Sequence, residues 1–142
     1  VATHCAQADI IVMAAAVADF RPSQAAADKI KKGSGGLTVA FEPTGDILAG
    51  LVAARSPGQV IVGFAAETGD SNASVLEHGR EKLARKGCDL LVVNDVRGDL
   101  AFGSPDNEVT ILGTGLETHV PRASKADIAD AVWDAVLTLS RA

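Results

Sequence analysis

Five of the six lysines in this chain fall in two tight groups: Lys29, Lys31 and Lys32 in the run DKIKKGSGG, and Lys82 and Lys86 in REKLARKG. The protein as a whole is acidic, with a formal net charge of -5. Neighbouring ammonium groups repel one another and gain most when an anion sits between them. The chemistry they could do is therefore to grip a small polyanion, phosphate above all. Two solvated basic faces explain the same clustering. Lys82 and Lys86 are one helical turn apart and border a Leu76/Leu83 stripe on the same side, so both could reach one ligand. Equally, they could snorkel over the apolar seam.

Three more segments carry chemical potential. In AAAVADFRP, Ala14–Pro22, small residues let a ligand approach the backbone closely and Asp19 offers a carboxylate at the rim. A tightly packed strand-to-loop turn is the plain alternative. In FAAET, Phe64–Thr68, Phe64 could lie against a flat base, and Glu67 could take an amino group or a ribose hydroxyl. A core phenylalanine ahead of a capping loop would look the same. Asn94-Asp95 could read an amide and hold a hydroxyl or a hydrated metal, or could simply form a turn.

Several chemistries are excluded. There is no GxxxxGK[ST] phosphate loop and no GxGxxG fingerprint, no GxSxG elbow, and no His/Cys array for zinc. The chain has no tyrosine. No residue is assigned to a metal. If phosphate is bound, lysines and backbone amides bind it.

The elements that must position these residues follow from the hydrophobic pattern. Asp9–Ala14, Gln59–Phe64 and Asp89–Val93 are continuous apolar runs, the mark of strands buried on both faces. Phe20–Ala27 reads as loop, and Gly33–Gly36 as a hinge. Leu37–Glu42 alternates and reads as a half-exposed strand. Thr44 sits where a helix cap belongs, before a helix over Asp46–Arg55. Ser71–Lys86 reads as a second helix. Glu108–Leu112 and Glu117–Val120 read as paired strands joined by Gly113-Thr114-Gly115. Ser124 caps a last helix, with Asp127 at the capping-box position and Ile128, Val132, Ala135 and Leu139 on one stripe; Trp133 lies off it. Buried strands alternating with helices predict an α/β fold with a mostly parallel sheet. Such sheets bind ligands at the carboxyl ends of their strands. Those ends are Ala15–Asp19, Phe64–Thr68 and Asn94-Asp95.

At 142 residues, the chain reads as one domain over 1–142, and 47% hydrophobic content with a mean hydropathy of +0.20 supports a real core. The acidic balance argues against general nucleic-acid binding. Cys5 and Cys88 lack metal-ligand spacing and read as thiols in a reducing cytoplasm. No stretch reaches the roughly 18 apolar residues of a membrane span, and no signal peptide is present, so a cytoplasmic location is expected. The abrupt start at Val1 suggests part of something longer.

Taken in order, AAAVADFRP, KIKK, the PTGDIL helix start, VGFAAET, KLARKG and the strand ending in NDV closely resemble the phosphopantothenoylcysteine synthetase domain of the bacterial coenzyme A pathway. The resemblance runs from about Asp9 to the end of the chain. It implies a Rossmann-like fold with helices on both faces of the sheet. It also implies a ligase, phosphopantothenate–cysteine ligase, that joins 4'-phosphopantothenate to L-cysteine with CTP and magnesium. Substrate carboxylate attacks the α-phosphate, an acyl-cytidylate forms with loss of pyrophosphate, and the cysteine amine then displaces CMP. The domain is usually the C-terminal half of a bifunctional protein, and FMN belongs only to the decarboxylase domain ahead of it.

Carried over by motif, Ala15 and Ala16 match positions lining the acyl-cytidylate site, and Asp19 matches a CTP-binding aspartate. Lys29 matches the lysine most closely tied to catalysis and CTP. Thr44, Gly45, Asp46 and Ile47 match a nucleotide-contacting segment that often reads NPDI in relatives and TGDI here. Phe64, Lys82 and Lys86 match further CTP positions. The family's opening GGTxEP turn and SSGxMG loop do not occur, so the chain would lack the first βα unit and part of the phosphopantothenate site. The half-exposed strands Leu37–Glu42 and Glu108–Leu112 carry apolar residues (Leu37, Val39, Phe41, Val109, Ile111) too extensive to leave wet. The family is dimeric through such extensions, so a homodimer through this ribbon is expected. The competing readings are a non-catalytic nucleotide-binding module and a nicotinamide-binding domain; the missing Gly-rich fingerprint counts against the second.

Overall fold

The computed structural model describes residues 2–31, 35–71, 73–96 and 105–139. Lys32, Gly33 and Ser34, and with them half of the GSGG run, lie outside the described residues. The chain divides into two compact units, one formed by Val1–Ala15 with Leu48–Ala142 and the other by Ala16–Ile47.

The larger unit is built on a five-stranded sheet. Its strands are β1 (Ile10–Met13), β4 (Val60–Glu67), β5 (Leu90–Asp95), β6 (Asp106–Gly113) and β7 (Leu116–Ser124), side by side in that order. β1, β4 and β5 are parallel, and β6 and β7 continue the sheet as an antiparallel hairpin. Helices α2 (Ile47–Ala53) and α3 (Val75–Lys86) cover one face and α4 (Lys125–Leu139) the other, while α1 (Ala2–Cys5) is a single turn ahead of β1. This is the α/β architecture with helices on both faces that the sequence predicts. The sheet is mixed, with its parallel part at the β1 side.

Alternation sorts the core into two layers. Ile11, Ile61, Ala65, Leu91, Val93 and Leu112 pack with Leu51 under α2 and α3. Val62, Leu90, Val92, Val109 and Ile111 pack under Ile128, Val132 and Val136 of α4. Ile61, Leu90, Leu91, Ile111 and Val136 are fully buried, and each contributes about 1.5–3 kcal/mol relative to exposure.

Four expectations need correction. β1 is an edge strand of the described sheet rather than doubly buried: Ile11 is buried, yet Val12 remains 38% exposed. The segment 108–112 is not part of an external ribbon, because β6 lies between β5 and β7 with Val109 and Ile111 buried beneath α4. Its alternation marks the interior of a sheet, each face covered by a different helix layer. α3 begins at Val75, not Ser71, because Asp70 and Ala73 close a local turn and Ser74 then forms the capping box with Glu77. The α4 stripe runs through Val136, not only the alanine beside it. Ser124 does cap α4, its hydroxyl accepting from the Asp127 N–H at 3.2 Å, and Trp133, off the stripe, is exposed.

The smaller unit contains a two-stranded antiparallel ladder of β2 (Phe20–Pro22) and β3 (Phe41–Pro43). β2 falls where the sequence reads as loop. Residues 37–40 lie outside any strand, so only the end of the expected Leu37–Glu42 strand is one. Arg21 donates to Glu42 across the ladder at 2.8 Å.

α3 docks through a glycine. A Cβ on Gly79 would stand 2.8 Å from Val93 Cγ2 and 3.0 Å from Leu112 Cδ1, so the helix lies closer to β5 and β6 than any other residue permits. Gly79→Ala gains about 1 kcal/mol of helix propensity against about 1–3 kcal/mol of overpacking. The balance is a net loss of up to about 2 kcal/mol, read as a lower urea midpoint with unchanged slope. A higher midpoint contradicts the close docking.

Candidate nucleotide-binding site

The parallel strands all end at one edge of the sheet, where the sequence places its site. They do not end level. The β1 ladder stops at Met13 opposite Gly63, while β4 stays paired with β5 as far as Glu67 opposite Asp95. β4 therefore outruns β1 from Phe64 to Glu67. Along that stretch one side of its backbone lies outside the β1 ladder. Peptide N–H and C=O groups of this kind are obligatory hydrogen-bonding groups and can read the edge of a flat heterocycle. Ala15 stands two residues beyond the shorter strand.

Side chains on this projecting end point two ways. Phe64 shares the face of Val62, the α4 side, and is 37% exposed. It is thus not a core phenylalanine. Glu67 shares the face of Ile61 and Ala65, the α3 side. There its Oε1 meets Lys82 Nζ at 2.5 Å, with the lysine side chain 29% and the glutamate 17% exposed. Lys86, one turn further along α3, is half-buried. Phe64 and Lys82 consequently flank opposite sides of the sheet, and a ligand touching both must cross the end of β4.

Two open cavities adjoin this edge. One of about 330 Å³ is lined by Glu67, Lys82, His78, Glu81 and Arg85 among others. Another of about 570 Å³ runs between the start of α3, the end of β5 and the first half of β6, with Thr68, Ser74, Asp95 and Thr110 in its wall. His78 Nε2 lies 3.2 Å from Asp70 Oδ2. Glu77 is held below the usual carboxylate range by the Ser74 backbone N–H and then the Ser74 hydroxyl. Sequence reasoning passes over His78 and Arg85. Arg85 carries a signal, since it stands between Lys82 and Lys86 on the same helix, but nothing marks His78 apart from any surface histidine.

In the smaller unit, Asp19 and Thr44 come together: the Thr44 N–H donates to the Asp19 carbonyl at 2.8 Å, and the Thr44 hydroxyl donates to the Ala18 carbonyl. The hydroxyl is thereby used on a neighbouring loop, and α2 starts three residues later at Ile47, so Thr44 is not its cap. Gly45 and Asp46 follow on the exposed stretch between. Ala16, Asp19 and Lys29 are exposed, and Lys29 lies outside helix and strand.

Among the described residues no group of three or more His, Cys, Asp or Glu side chains is arranged to hold a metal ion. Both cysteines are free thiols. Burial pushes the Cys88 thiol up, against partial relief from the Gly63 backbone. Among the described residues no helix is long and apolar enough to cross a membrane.

Comparison with known proteins bears on the family and the fold. Residues 1–139 match the family described as the DNA/pantothenate metabolism flavoprotein C-terminal domain. The chain is 50% identical over 145 residues to the coenzyme A biosynthesis bifunctional protein CoaBC of Mycobacterium tuberculosis, covering 97% of this chain and 35% of that protein. It is 41% identical over 136 residues to CoaBC of Bacillus subtilis, covering 94% and 32%. The chain thus spans about a third of the length of the curated relatives it matches. A crystal structure of the C-terminal domain of CoaBC superposes with a TM-score of 0.73 at 25% identity, covering 99% of this chain and 60% of that one. A DNA/pantothenate metabolism flavoprotein structure from Streptococcus pneumoniae shares the fold, with a TM-score of 0.74 at 16% identity, covering 96% and 66%. The chain belongs to the family of the DNA/pantothenate metabolism flavoprotein C-terminal domain.

Proposed function

We propose that this domain performs the phosphopantothenate–cysteine ligase step of coenzyme A biosynthesis, with CTP as the activating nucleotide. The observation that carries the reading is the match of nearly the whole chain to the C-terminal part of CoaBC, with the resembling motifs intact. The geometry suits it. Phe64 stands exposed beside a length of β4 backbone outside the β1 ladder, and Lys82 meets Glu67 at the same strand end; Lys86 lies one turn further along α3, beside Gly87, and its assignment rests on the resemblance.

In this reaction the phosphopantothenate carboxylate attacks the α-phosphorus of CTP. The bond to the pyrophosphate oxygen breaks and an acyl-cytidylate forms. The amine of L-cysteine then attacks the acyl carbon, loses a proton, and CMP leaves. Negative charge builds on the α-phosphate and the departing pyrophosphate, and ammonium groups placed there stabilise it. Lys82 and Lys86 are assigned to the phosphates and Phe64 to the base; Ala15 and Ala16 line the acyl-cytidylate. Asp19, Thr44, Gly45, Asp46 and Ile47 take further nucleotide contacts, an assignment resting on the resemblance. Magnesium enters on the triphosphate as part of the substrate. Flavin, on this reading, belongs to a fused decarboxylase domain outside this chain, and no step here runs through it.

Lys82→Ala and Lys86→Ala should each weaken CTP binding by about 1.5–3 kcal/mol, the scale of a charge-assisted hydrogen bond. Titration calorimetry in which both variants bind CTP like the parent would reject the triphosphate assignment.

Lys29 is assigned to catalysis on its motif match; it is exposed and lies outside helix and strand, so its removal leaves the core untouched. Lys29→Ala should keep the melting temperature and lose most turnover, measured as pyrophosphate release in the full chain. A large fall in melting temperature with turnover intact contradicts the role.

The protein is also proposed to be a homodimer, joined through the smaller unit. Leu37, Val39 and Phe41 are 68%, 43% and 59% exposed, a cost that pairing about a two-fold axis removes on both copies. Val109 and Ile111, buried under α4, take no part. Phe41→Asp should give monomers and reduce activity together; light scattering that finds the unmodified protein monomeric at micromolar concentration rules this out.

A further inference from the structure

We infer that Glu67 is a positioning residue for Lys82: its carboxylate holds the ammonium at the ligand end of β4, ready for phosphate. The inference rests on the reading of Lys82 as a nucleotide ligand. It gives Glu67 a part other than the direct contact with an amino group or ribose hydroxyl that its strand-end position suggests, since its carboxylate is taken by Lys82.

The argument begins with the lysine. An ammonium on a four-carbon stem samples many rotamers, and each contact it makes must overcome that freedom. Here Nζ is tied to Glu67 Oε1 at 2.5 Å, and both side chains are mostly buried. The anchor itself is rigid. Glu67 is the last residue of β4, paired with Asp95, and its carbonyl accepts the Val96 N–H at 3.0 Å. An ammonium has three N–H donors and no acceptor. One is taken by Glu67, which leaves two for phosphate oxygens. The lysine is thereby ordered before the nucleotide arrives, and the ordering cost is not charged to binding.

A plain staple between α3 and β4 is the competing account, and α3 has little need of one. Val75 and Leu83 pack on the core, Gly79 lies against Val93, Arg80 pairs with Glu117 of β7 at 2.7 Å, and Gly87 closes the helix end on the Leu83 carbonyl at 2.9 Å. The Glu67–Lys82 pair sits instead at the strand end where the parallel sheet presents its ligands.

Reach and charge separate the two accounts. Glu67→Gln keeps the length and an oxygen acceptor but not the charge; Glu67→Asp keeps the charge but is one methylene short. The test is calorimetric titration of MgCTP into the full chain, comparing the parent with Glu67→Ala, Glu67→Asp, Glu67→Gln, Lys82→Ala and the double variant Glu67→Ala/Lys82→Ala. Positioning predicts CTP binding weakened about tenfold by Glu67→Ala and Glu67→Asp, within about threefold of the parent for Glu67→Gln, and no further loss when Glu67→Ala is added to Lys82→Ala. Melting temperatures taken in parallel give the folded fraction of each variant. The Gln and Asp variants retain a polar group at the site, so the ranking is readable even where Glu67→Ala folds poorly. Parent-like or tighter binding by Glu67→Ala overturns the inference. So does Asp ranking above Gln, or an undiminished Glu67→Ala effect in the Lys82→Ala background. Parent-like binding by Lys82→Ala alone marks instead the failure of the nucleotide reading of that lysine, and the inference falls with it.

Discussion

The larger unit is held in register by one carboxylate. Asp89, at the entrance to β5, accepts the Ile61 N–H of β4 on Oδ2 at 2.7 Å and Arg55 Nη1 on Oδ1 at 2.9 Å. Its own N–H returns to the Ile61 carbonyl at 2.9 Å, and Arg55 Nη2 reaches the Gly87 carbonyl at 2.7 Å. Four segments meet there: the exit of α2, the start of β4, the end of α3 and the start of β5. A slip of one residue between β4 and β5 would exchange their buried faces and break each of these bonds. Because the strands are parallel, a register fixed at their amino ends is fixed at their carboxyl ends too. The position of Glu67 opposite Asp95, and of Lys82 over Glu67, follows from an interaction at the far side of the sheet.

That arrangement separates support from chemistry. The Arg55–Asp89 cluster and the Gly87 cap lie at the end of the sheet away from the candidate site. Phe64, Glu67 and Lys82 lie at the other, where β4 outruns β1. The same 12-residue helix serves both ends: its C-terminus joins the Asp89 cluster, its middle is pressed on the sheet at Gly79, and Lys82 and Lys86 follow from the helical period.

Uninterrupted apolar runs made β4 and β5 legible in the sequence, as did the β6–β7 hairpin with its Gly-Thr-Gly turn and the Ser124-capped α4. Each declares itself within a short window. What was not legible depends on distant partners. Phe20–Pro22 becomes a strand only because Phe41–Pro43 pairs with it, and Pro22 argues locally against it. The alternation of 108–112 is the same whether its two faces meet water and core or two different helix layers. β1 looks like a doubly buried strand, yet Val12 on its outer face stays half-open. At the site, the strand ends and the two helix lysines were readable from pattern. The pairing of Lys82 with Glu67 was not, since those residues are fifteen apart across an irregular segment that no local rule places.

Charge explains why the cations need holding. A chain of net charge -5 does not draw a nucleotide in by its overall field; at physiological salt that field fades over about 8 Å, and its sign is unfavourable. Attraction must come from a few cations at short range, where geometry decides the energy. A lysine free to swing into solvent wastes such a contact, and in an acidic protein it has many competing carboxylates to visit. Fixing it on one carboxylate, on a strand whose register is set elsewhere, confines it to a single place. On the proposed reading, that confinement lets an acidic domain bind a triphosphate with a handful of lysines and no glycine-rich phosphate loop.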